Sequence, residues 1–301
     1  MKTPFEKIVD INAVGRADNS VGIGELFSLA EAERAAHAPE NGARTLLLAV
    51  DVQRDFMDGG VLGVNGALDD VRRLTRFMYD NMENITEIAV TMDTHAPQPI
   101  FHPCWWRGEN GAAPAPFTVI TKDDLDLGRW TPLFEPKESA AYLEYLGAAG
   151  KKRLCIWPYH CIAGTTGAAL ENQFSNMAHF FSIVKGVSVK KIIKGTLPAT
   201  EFYGAVRPEY SPNGLYTNDA LLDVIKSCRR VVIAGEAKDY CVYETVRQIF
   251  EELENEPQKP EIFILEDCTS SIQSPDEAAA LYSGLAKKYA FHLVKSTDKF
   301  L

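Results

Sequence analysis

The sequence predicts an α/β fold with three layers, in which helices cover both faces of a parallel six-stranded sheet. Two observations lead to this prediction. Short apolar runs alternate along the chain with longer segments of helical spacing, as in parallel sheets whose strands are connected by helices. The first run, RTLLLAVD at 44–51, is apolar up to its final carboxylate, which is typical of a strand buried on both faces. The predicted architecture is Rossmann-like.

The predicted elements follow one another in a regular order. After the first strand, helical spacing is found at 69–82, and a second strand at 88–92 leads into Asp93. We predict further strands at 154–157, 192–193, 230–234, 262–265 and 291–294. We predict further helices at 164–177, 220–228, 240–253 and 275–289.

Two regions lie outside this alternation. Residues 1–43 are rich in Ala and Glu without a strand-like run, so we expect an N-terminal helical arm, followed by one domain at 44–301. Residues 97–136 carry many Pro, Gly and Trp residues with little periodicity and are predicted to form a long irregular insertion. Loops of that length are usually functional or disordered, and Trp105, Trp106 and Trp130 favour an ordered one.

Composition restricts the classes of function. The net charge of -10 argues against a nucleic-acid partner, because phosphate binding requires a basic surface. No apolar run reaches the length of a membrane span, and the first residues lack the core of a signal peptide. We therefore expect a cytoplasmic protein without a membrane partner. Six cysteines without a CxxC pair favour reduced thiols over a disulfide framework.

Reactive side chains follow several of the predicted strands. Asp51, Asp93 and Lys194 come directly after strands, and Cys241 lies in the loop after the strand at 230–234. Ligands of parallel α/β sheets bind beyond the carboxyl ends of the strands. We therefore expect these four residues to converge on one edge of the sheet.

Cys241 has two interpretations. At the start of a helix, a thiol has a lowered pKa and lies beside unpaired N–H groups that stabilise an oxyanion, as a nucleophile requires. A single cysteine is also often a small buried apolar residue. Asp51 and Lys194 also have two interpretations. They either relay a proton to and from the thiol or form an ion pair at the strand ends.

A third group of residues has the composition of a metal site. Asp93 and His95 follow the second strand, and His160 lies in the segment WPYHC at 157–161. One carboxylate and two imidazoles suit a divalent ion such as Zn²⁺, Fe²⁺ or Mn²⁺. A loop with two histidines is the alternative interpretation, and His102 is either a further ligand or a loop residue.

Four motifs, in this order, resemble those of the nicotinamidases within the isochorismatase-like cysteine hydrolases. The motifs are VDVQRDF at 50–56, DTH at 93–95 together with WPYHC at 157–161, IKGT at 193–196, and GEAKDYCV at 235–242. The resemblance extends over about residues 44–296 and identifies the domain at 44–301 as a hydrolase domain of that family. It implies the same α/β fold with a parallel six-stranded sheet.

The resemblance also implies roles for individual residues. Cys241 would attack an amide carbonyl, Asp51 would be the general base and acid, and Lys194 would be its partner. The backbone N–H groups of Ala237 and Cys241 would form the oxyanion hole. Residues that would hold the substrate ring are Phe56, Trp157 and Tyr203. Residues that would bind the metal ion are Asp93, His95 and His160.

Three hypotheses of function follow. The first is a nicotinamidase, which converts nicotinamide and water into nicotinate and ammonia through a Cys thioester. The second is a hydrolase of the same fold that acts on another small amide or carbamoyl compound, and a tryptophan of the 97–136 insertion in the ring pocket would favour it. The third is a non-catalytic binding protein that has retained the fold. The family resemblance also makes a homo-oligomer plausible.

Overall fold

Strands and helices alternate through most of the chain in the computed structural model, which describes residues 1–19, 21–34, 43–150, 152–211 and 216–301. Residues 20 and 35–42 of the predicted N-terminal arm lie outside the described residues. The strands are β1 (Thr45–Val50), β2 (Glu87–Asp93), β3 (Trp106–Gly108), β4 (Val119–Ile120), β5 (Trp130–Pro132), β6 (Leu154–Cys155), β7 (Lys190–Lys194), β8 (Arg230–Gly235), β9 (Glu261–Leu265) and β10 (His292–Val294). The α-helices are α1 (Ile23–Arg34), α2 (Ala67–Asp80), α3 (Lys122–Asp126), α4 (Pro136–Ala148), α5 (Asn172–Lys185), α6 (Asp219–Lys226), α7 (Tyr243–Glu252) and α8 (Pro275–Ala286).

The main sheet has six strands in the order β10-β9-β8-β1-β2-β7. Every neighbouring pair in it is parallel. The predicted fold class is therefore confirmed. Four of the six strands, β8, β1, β2 and β7, are consecutive in this order, and their carboxyl ends lie along one edge.

Helices cover both faces of this sheet, and β1 illustrates the alternation. Leu47 and Ala49 pack on one face with residues of α2 and α5. Leu46, Leu48 and Val50 pack on the other face with residues of α6, α7 and α8. Since successive side chains of a strand point to opposite faces, a strand buried on both faces is apolar throughout.

The described part of the N-terminal region packs against the main domain. Leu26 and Ala30 of α1 are fully buried in the same apolar cluster as the residues of α5. The carboxylate of Glu33 accepts hydrogen bonds from the backbone N–H of Thr3 at 2.7 Å and from its hydroxyl at 2.9 Å. The first residues are thereby attached to α1, and α1 contributes to the core.

Short elements occur within the segment that we predicted to be irregular. It contains α3 and the antiparallel pair β3–β5, and α4, which the sequence analysis did not predict, follows it. The predicted strand at 154–157 is shorter and does not join the main sheet, because β6 pairs with β4 in antiparallel orientation. These elements enclose a separate apolar cluster that includes Trp105, Trp106 and Tyr142, and burial in that cluster accounts for the apolar run at 154–157.

Two predicted helix boundaries also differ from the structure. The helix predicted at 164–177 begins later, at Asn172, because the Glu171 carboxylate accepts hydrogen bonds from the N–H groups of Gln173 and Phe174 and thereby caps α5. The helix predicted at 240–253 is preceded by a π-helical turn over Lys238–Val242. None of the helices in the described part of the chain is long and apolar enough to span a membrane.

Candidate active site

The four reactive residues converge, as predicted, at the carboxyl ends of four neighbouring strands. Asp51 follows β1, Asp93 ends β2, Lys194 ends β7, and Cys241 lies in the π-helical turn after β8. In the register of β2 and β7, Asp93 is aligned with Lys194. The parallel sheet therefore brings together residues that are far apart in sequence.

Lys194 lies at the centre of this group and is fully buried. Its ammonium Nζ is 2.8 Å from Asp51 Oδ2 and 2.6 Å from Asp93 Oδ1. It also lies 3.6 Å from the Sγ atom of Cys241. Burial by itself would lower the pKa of Lys194, but the two carboxylates raise it well above its ordinary value. The side chain is therefore a permanent cation between two carboxylates and the thiol.

Asp51 faces the same ammonium from a fixed position. Its Oδ1 accepts a hydrogen bond of 2.6 Å from the Thr91 hydroxyl, and its backbone lies in the left-handed region at a φ of 47°. Burial raises the pKa of Asp51, although Lys194 opposes the increase. A carboxylate with a raised pKa accepts a proton more readily, which a general base requires.

The structure corrects our expectation for the pKa of Cys241. The position at the start of a helix predicted a lowered pKa, but burial raises the pKa of this thiol well above its ordinary value, and Lys194 only opposes the increase. Cys241 is 8% exposed, and its Sγ lies within 4.8 Å of ligand atoms of Asp51 and Asp93. The thiol is therefore neutral at rest and has a carboxylate nearby to receive its proton.

The backbone before the π-helical turn that carries Cys241 is tightly packed against β1. Glu236–Ala237 is a cis peptide bond, and Ala237 is the extended residue that precedes the turn. A Cβ atom on Gly235, whose φ is 111°, would overlap the backbone of Val50. This close approach of β8 to β1 holds Ala237 and Cys241 beside Asp51.

The three predicted metal ligands also lie together. One ligand atom from each of Asp93, His95 and His160 lies within 4.8 Å of the others, and all three residues are buried. His95 Nδ1 lies 2.9 Å from the Gly195 carbonyl, and His160 Nδ1 lies 2.8 Å from the Pro158 carbonyl. Each Nδ1–H is thus occupied by a carbonyl, which leaves the Nε2 lone pair available for a ligand.

These residues fit a divalent ion on two further observations. His95 Nε2 is buried and has no hydrogen-bond partner among the described residues. Burial, reinforced by the nearby His95, lowers the pKa of His160 to about 3, so its imidazole is neutral, as a metal ligand must be. His102 is also buried beside them, with its ring centroid 5.5 Å from that of His160, but it does not belong to the close cluster of ligand atoms.

A narrow cavity joins the two groups of residues. Seven of the predicted site residues line it, and they contribute the thiol, one alanine, three aromatic rings and two of the predicted metal ligands. These residues are Phe56, Asp93, Trp157, His160, Tyr203, Ala237 and Cys241. Asp51, Lys194 and His95 lie behind this wall and are fully or almost fully buried. No tryptophan of the 97–136 insertion is among the lining residues.

Two lining residues were not assigned a role from the sequence. Glu201 accepts a hydrogen bond of 3.0 Å from the indole N–H of Trp157, and Tyr240 lies edge-on to Trp157 with ring centroids 6.0 Å apart. Tyr240 lies within the motif at 235–242 and Glu201 lies five residues after the motif at 193–196, so their sequence positions lay in or near the motifs but did not indicate their contacts. Ile272, a third lining residue, follows β9 in a segment that carried no recognisable pattern.

The fold and the arrangement of these residues define a class of α/β proteins that is known from solved structures. The chain has the fold of nicotinamidases and pyrazinamidases, which is the isochorismatase-like fold that the sequence predicted. No family model and no curated protein matches the sequence.

Three solved structures illustrate the similarity. The yeast nicotinamidase Pnc1p, bound to the inhibitor nicotinaldehyde, is 22% identical with a TM-score of 0.60, over 83% of this chain and 99% of the yeast chain. An Acinetobacter baumanii nicotinamidase and pyrazinamidase is 18% identical with a TM-score of 0.58, over 86% of this chain and 99% of that chain. The pyrazinamidase of Pyrococcus horikoshii in complex with zinc is 20% identical with a TM-score of 0.50, over 84% of this chain and 99% of that chain.

Proposed function

We propose that this protein is a cysteine amidohydrolase that converts nicotinamide and water into nicotinate and ammonia. The observation that carries the proposal is the single cavity in which a thiol, three aromatic side chains and two members of a metal-ligand cluster face one another. Behind the thiol, Lys194 joins the carboxylates of Asp51 and Asp93. This combination provides a nucleophile, a base and a ring-binding pocket within one enclosure.

The first half of the reaction follows from the contacts of Cys241. Asp51 takes the proton from the thiol, and Sγ attacks the amide carbonyl. Lys194, 3.6 Å from Sγ, stabilises the developing thiolate. The N–H groups of Ala237 and Cys241 hold the negative oxygen of the tetrahedral intermediate. Asp51 then gives its proton to the leaving nitrogen, and ammonia departs from a thioester.

The second half regenerates the thiol. Asp51, ionised again, takes a proton from a water molecule that attacks the thioester carbonyl. The carbon–sulfur bond breaks, the acid product forms, and the proton returns to Sγ. The raised pKa of Asp51 suits a group that both accepts and donates a proton in one cycle.

We propose that Asp93, His95 and His160 hold a divalent ion, with zinc as the first candidate because the similar P. horikoshii structure contains zinc. When bound, the ion supplies a Lewis-acid site for a ring nitrogen or a water molecule. The ring itself is held by Phe56, Trp157 and Tyr203, which line the cavity.

Two observations favour an aromatic amide over the other hypotheses. The cavity is lined by aromatic residues, and the tryptophans of the insertion pack elsewhere. Trp105 donates to the Ser139 hydroxyl and Trp106 to the Ile100 carbonyl, so neither fills the ring pocket. The similar yeast structure holds nicotinaldehyde, a small aromatic carbonyl compound. A complete set of nucleophile, base and cation argues against a non-catalytic binding protein.

The test is ammonia release from a panel of amides. The panel comprises nicotinamide, pyrazinamide, an aliphatic amide and a carbamoyl amine, each with wild type, Cys241→Ala and Cys228→Ala. We expect nicotinamide to be hydrolysed by wild type and by Cys228→Ala, whose cysteine is buried before the start of β8, at the opposite end of that strand from Cys241. Cys241→Ala should lose about 10⁴-fold or more in kcat, as nucleophile deletions do.

Two results would contradict the proposal. If Cys241→Ala hydrolyses nicotinamide at the wild-type rate, Cys241 is not the nucleophile. If wild type hydrolyses only the carbamoyl amine, the alternative substrate class is correct. The division into an arm at 1–43 and a hydrolase domain at 44–301, the homo-oligomer and the cytoplasmic location stay predictions.

A further inference from the structure

Lys152 connects the segment after α4 to the turn that carries Cys241. It lies between α4 and β6, and β6 pairs with β4 of the insertion. Its ammonium Nζ donates a hydrogen bond of 2.7 Å to the carbonyl of Asp239, within the π-helical turn. The same ammonium lies 3.4 Å from the centroid of the Tyr240 ring. One side chain thus contacts both residues that precede the nucleophile.

Both tyrosines next to Lys152 are walls of the cavity. Tyr240 and Tyr203 line it together with Cys241, and their ring centroids are 5.6 Å apart. The Lys152 ammonium lies 5.5 Å from the centroid of Tyr203. A cation above an aromatic face is attracted by the ring quadrupole, more strongly when water is excluded. Lys152 is not among the residues that line the cavity, so it contacts the two rings from outside it.

Other residues also hold this turn in place by hydrogen bonds. The Asp239 carboxylate accepts hydrogen bonds from the backbone N–H groups of Ile272 and Gln273, at 3.0 and 2.7 Å. The Tyr282 hydroxyl donates to the Lys238 carbonyl at 2.8 Å. These anchors belong to the main domain. Lys152 adds a further contact to the turn from the segment between α4 and β6.

The charge of Lys152 is not neutralised by a close partner. Its ammonium contacts a carbonyl and two aromatic rings, and within the described part of the chain no ion pair joins it to a carboxylate. Burial lowers the pKa of Lys152, and Glu244 and Asp239 oppose that decrease. Its positive field therefore acts on the turn and on the cavity, where a thiolate and an oxyanion form during the proposed reaction.

We propose that Lys152 is a positioning residue that couples the segment between α4 and β6 to the nucleophile, by holding Tyr240 and the Asp239 carbonyl so that Cys241 faces the cavity in a positive field. The inference deepens the proposed function and rests on it. Since β6 pairs with β4 of the insertion, this contact links the insertion to the site indirectly, although none of the 97–136 tryptophans lines the cavity.

The test compares Lys152→Met, Lys152→Arg and Lys122→Met. Methionine keeps the apolar stem without the charge, and arginine keeps the charge and a donor. Lys122 pairs with Asp126 on the surface and serves as the matched control. Two quantities are measured at pH 7.5: kcat and KM for nicotinamide, and the rate at which iodoacetamide alkylates Cys241, followed by mass spectrometry of its peptide.

We expect Lys152→Met to lower kcat about 10-fold and to slow the alkylation of Cys241 by a similar factor. Lys152→Arg should recover at least half of the lost alkylation rate, and Lys122→Met should match wild type. Wild-type alkylation in Lys152→Met, or an equal loss in the methionine and arginine variants, would overturn the inference. If wild type hydrolyses no amide, the proposed function fails, but the alkylation rates still decide whether Lys152 acts on Cys241.

Discussion

The ammonium of Lys194 is bonded directly to Asp93, with 2.6 Å between Nζ and Oδ1. Asp93 is also a member of the candidate metal cluster with His95 and His160. One carboxylate therefore belongs to both groups of residues. This shared carboxylate connects the candidate metal site with Lys194, which also contacts Cys241, and it implies that the two sites do not act independently.

Replacement of Asp93 tests this connection. Asp93→Asn keeps the shape of the side chain but removes one of the two charges that face Lys194, so we expect kcat to fall about 100-fold even when the metal content is restored. Metal content by mass spectrometry and ammonia release are measured on the same samples. Asp126→Asn, which alters an exposed Lys–Asp pair, is the control. Full recovery of activity in excess zinc would mean that Asp93 acts through the metal ion alone.

A substitution at Gly195 tests whether the position of His95 determines metal binding. Its φ is 72°, and a Cβ atom there would overlap the His95 ring. We expect Gly195→Ala to displace the imidazole and to lower the affinity for zinc at least 10-fold, measured by competition with a chelating dye. Gly128 has the same φ but open space around it, so Gly128→Ala controls for backbone strain. Equal zinc affinities in the two variants would exclude this displacement.

We expect the titration of Glu201 to make the free energy of unfolding depend on pH. Burial raises its pKa from 4.5 to about 7, so the folded state binds more protons than the unfolded state between these values. The contribution of Glu201 to the free energy of unfolding is therefore greatest below pH 4.5 and is lost as the pH rises to about 7. A shift of this size corresponds to about 3 kcal/mol.

Glu201→Gln removes this titration and keeps an oxygen acceptor for the Trp157 indole. We expect the free energy of unfolding of the variant, relative to wild type, to increase by up to about 3 kcal/mol between pH 4.5 and pH 8. Urea denaturation at several pH values measures the difference. A difference that is constant with pH would show that Glu201 titrates normally.

Leu26 tests whether α1 contributes to the core. Its side chain is fully buried against the main domain, so Leu26→Ala should lower the free energy of unfolding by about 3 kcal/mol. Ile23 begins the same helix and is 63% exposed, so Ile23→Ala should change it by less than about 0.5 kcal/mol. Both are measured by urea denaturation. Similarly small changes in the free energy of unfolding of the two variants would mean that α1 does not contribute to the stability of the core.

Much of the fold could be predicted from local patterns. The apolar run at 44–51 had to be buried on both faces, and the strand that ends at Asp93 was recognisable for the same reason. The strand that ends at Lys194 lies at the edge of the sheet and is partly exposed, and only Ile192 and Ile193 indicated it. The strand predicted at 154–157 shows the limit of such patterns. An apolar run indicates burial but not the partner, and β6 is buried in the cluster of the insertion instead of the main sheet.

The sequence by itself determined which residues meet, because the carboxyl ends of parallel strands share one edge and Asp51, Asp93, Lys194 and Cys241 lie at or just after such ends. Only the tertiary structure decided their electrostatic state. The helix start predicted a lowered pKa for Cys241, but burial beside two carboxylates raises it. The contacts of Lys152 and Glu201 could not be predicted from the sequence either, because they join segments that no local pattern connects. Burial and distance between remote segments are properties of the folded chain, and they set the chemistry of this site.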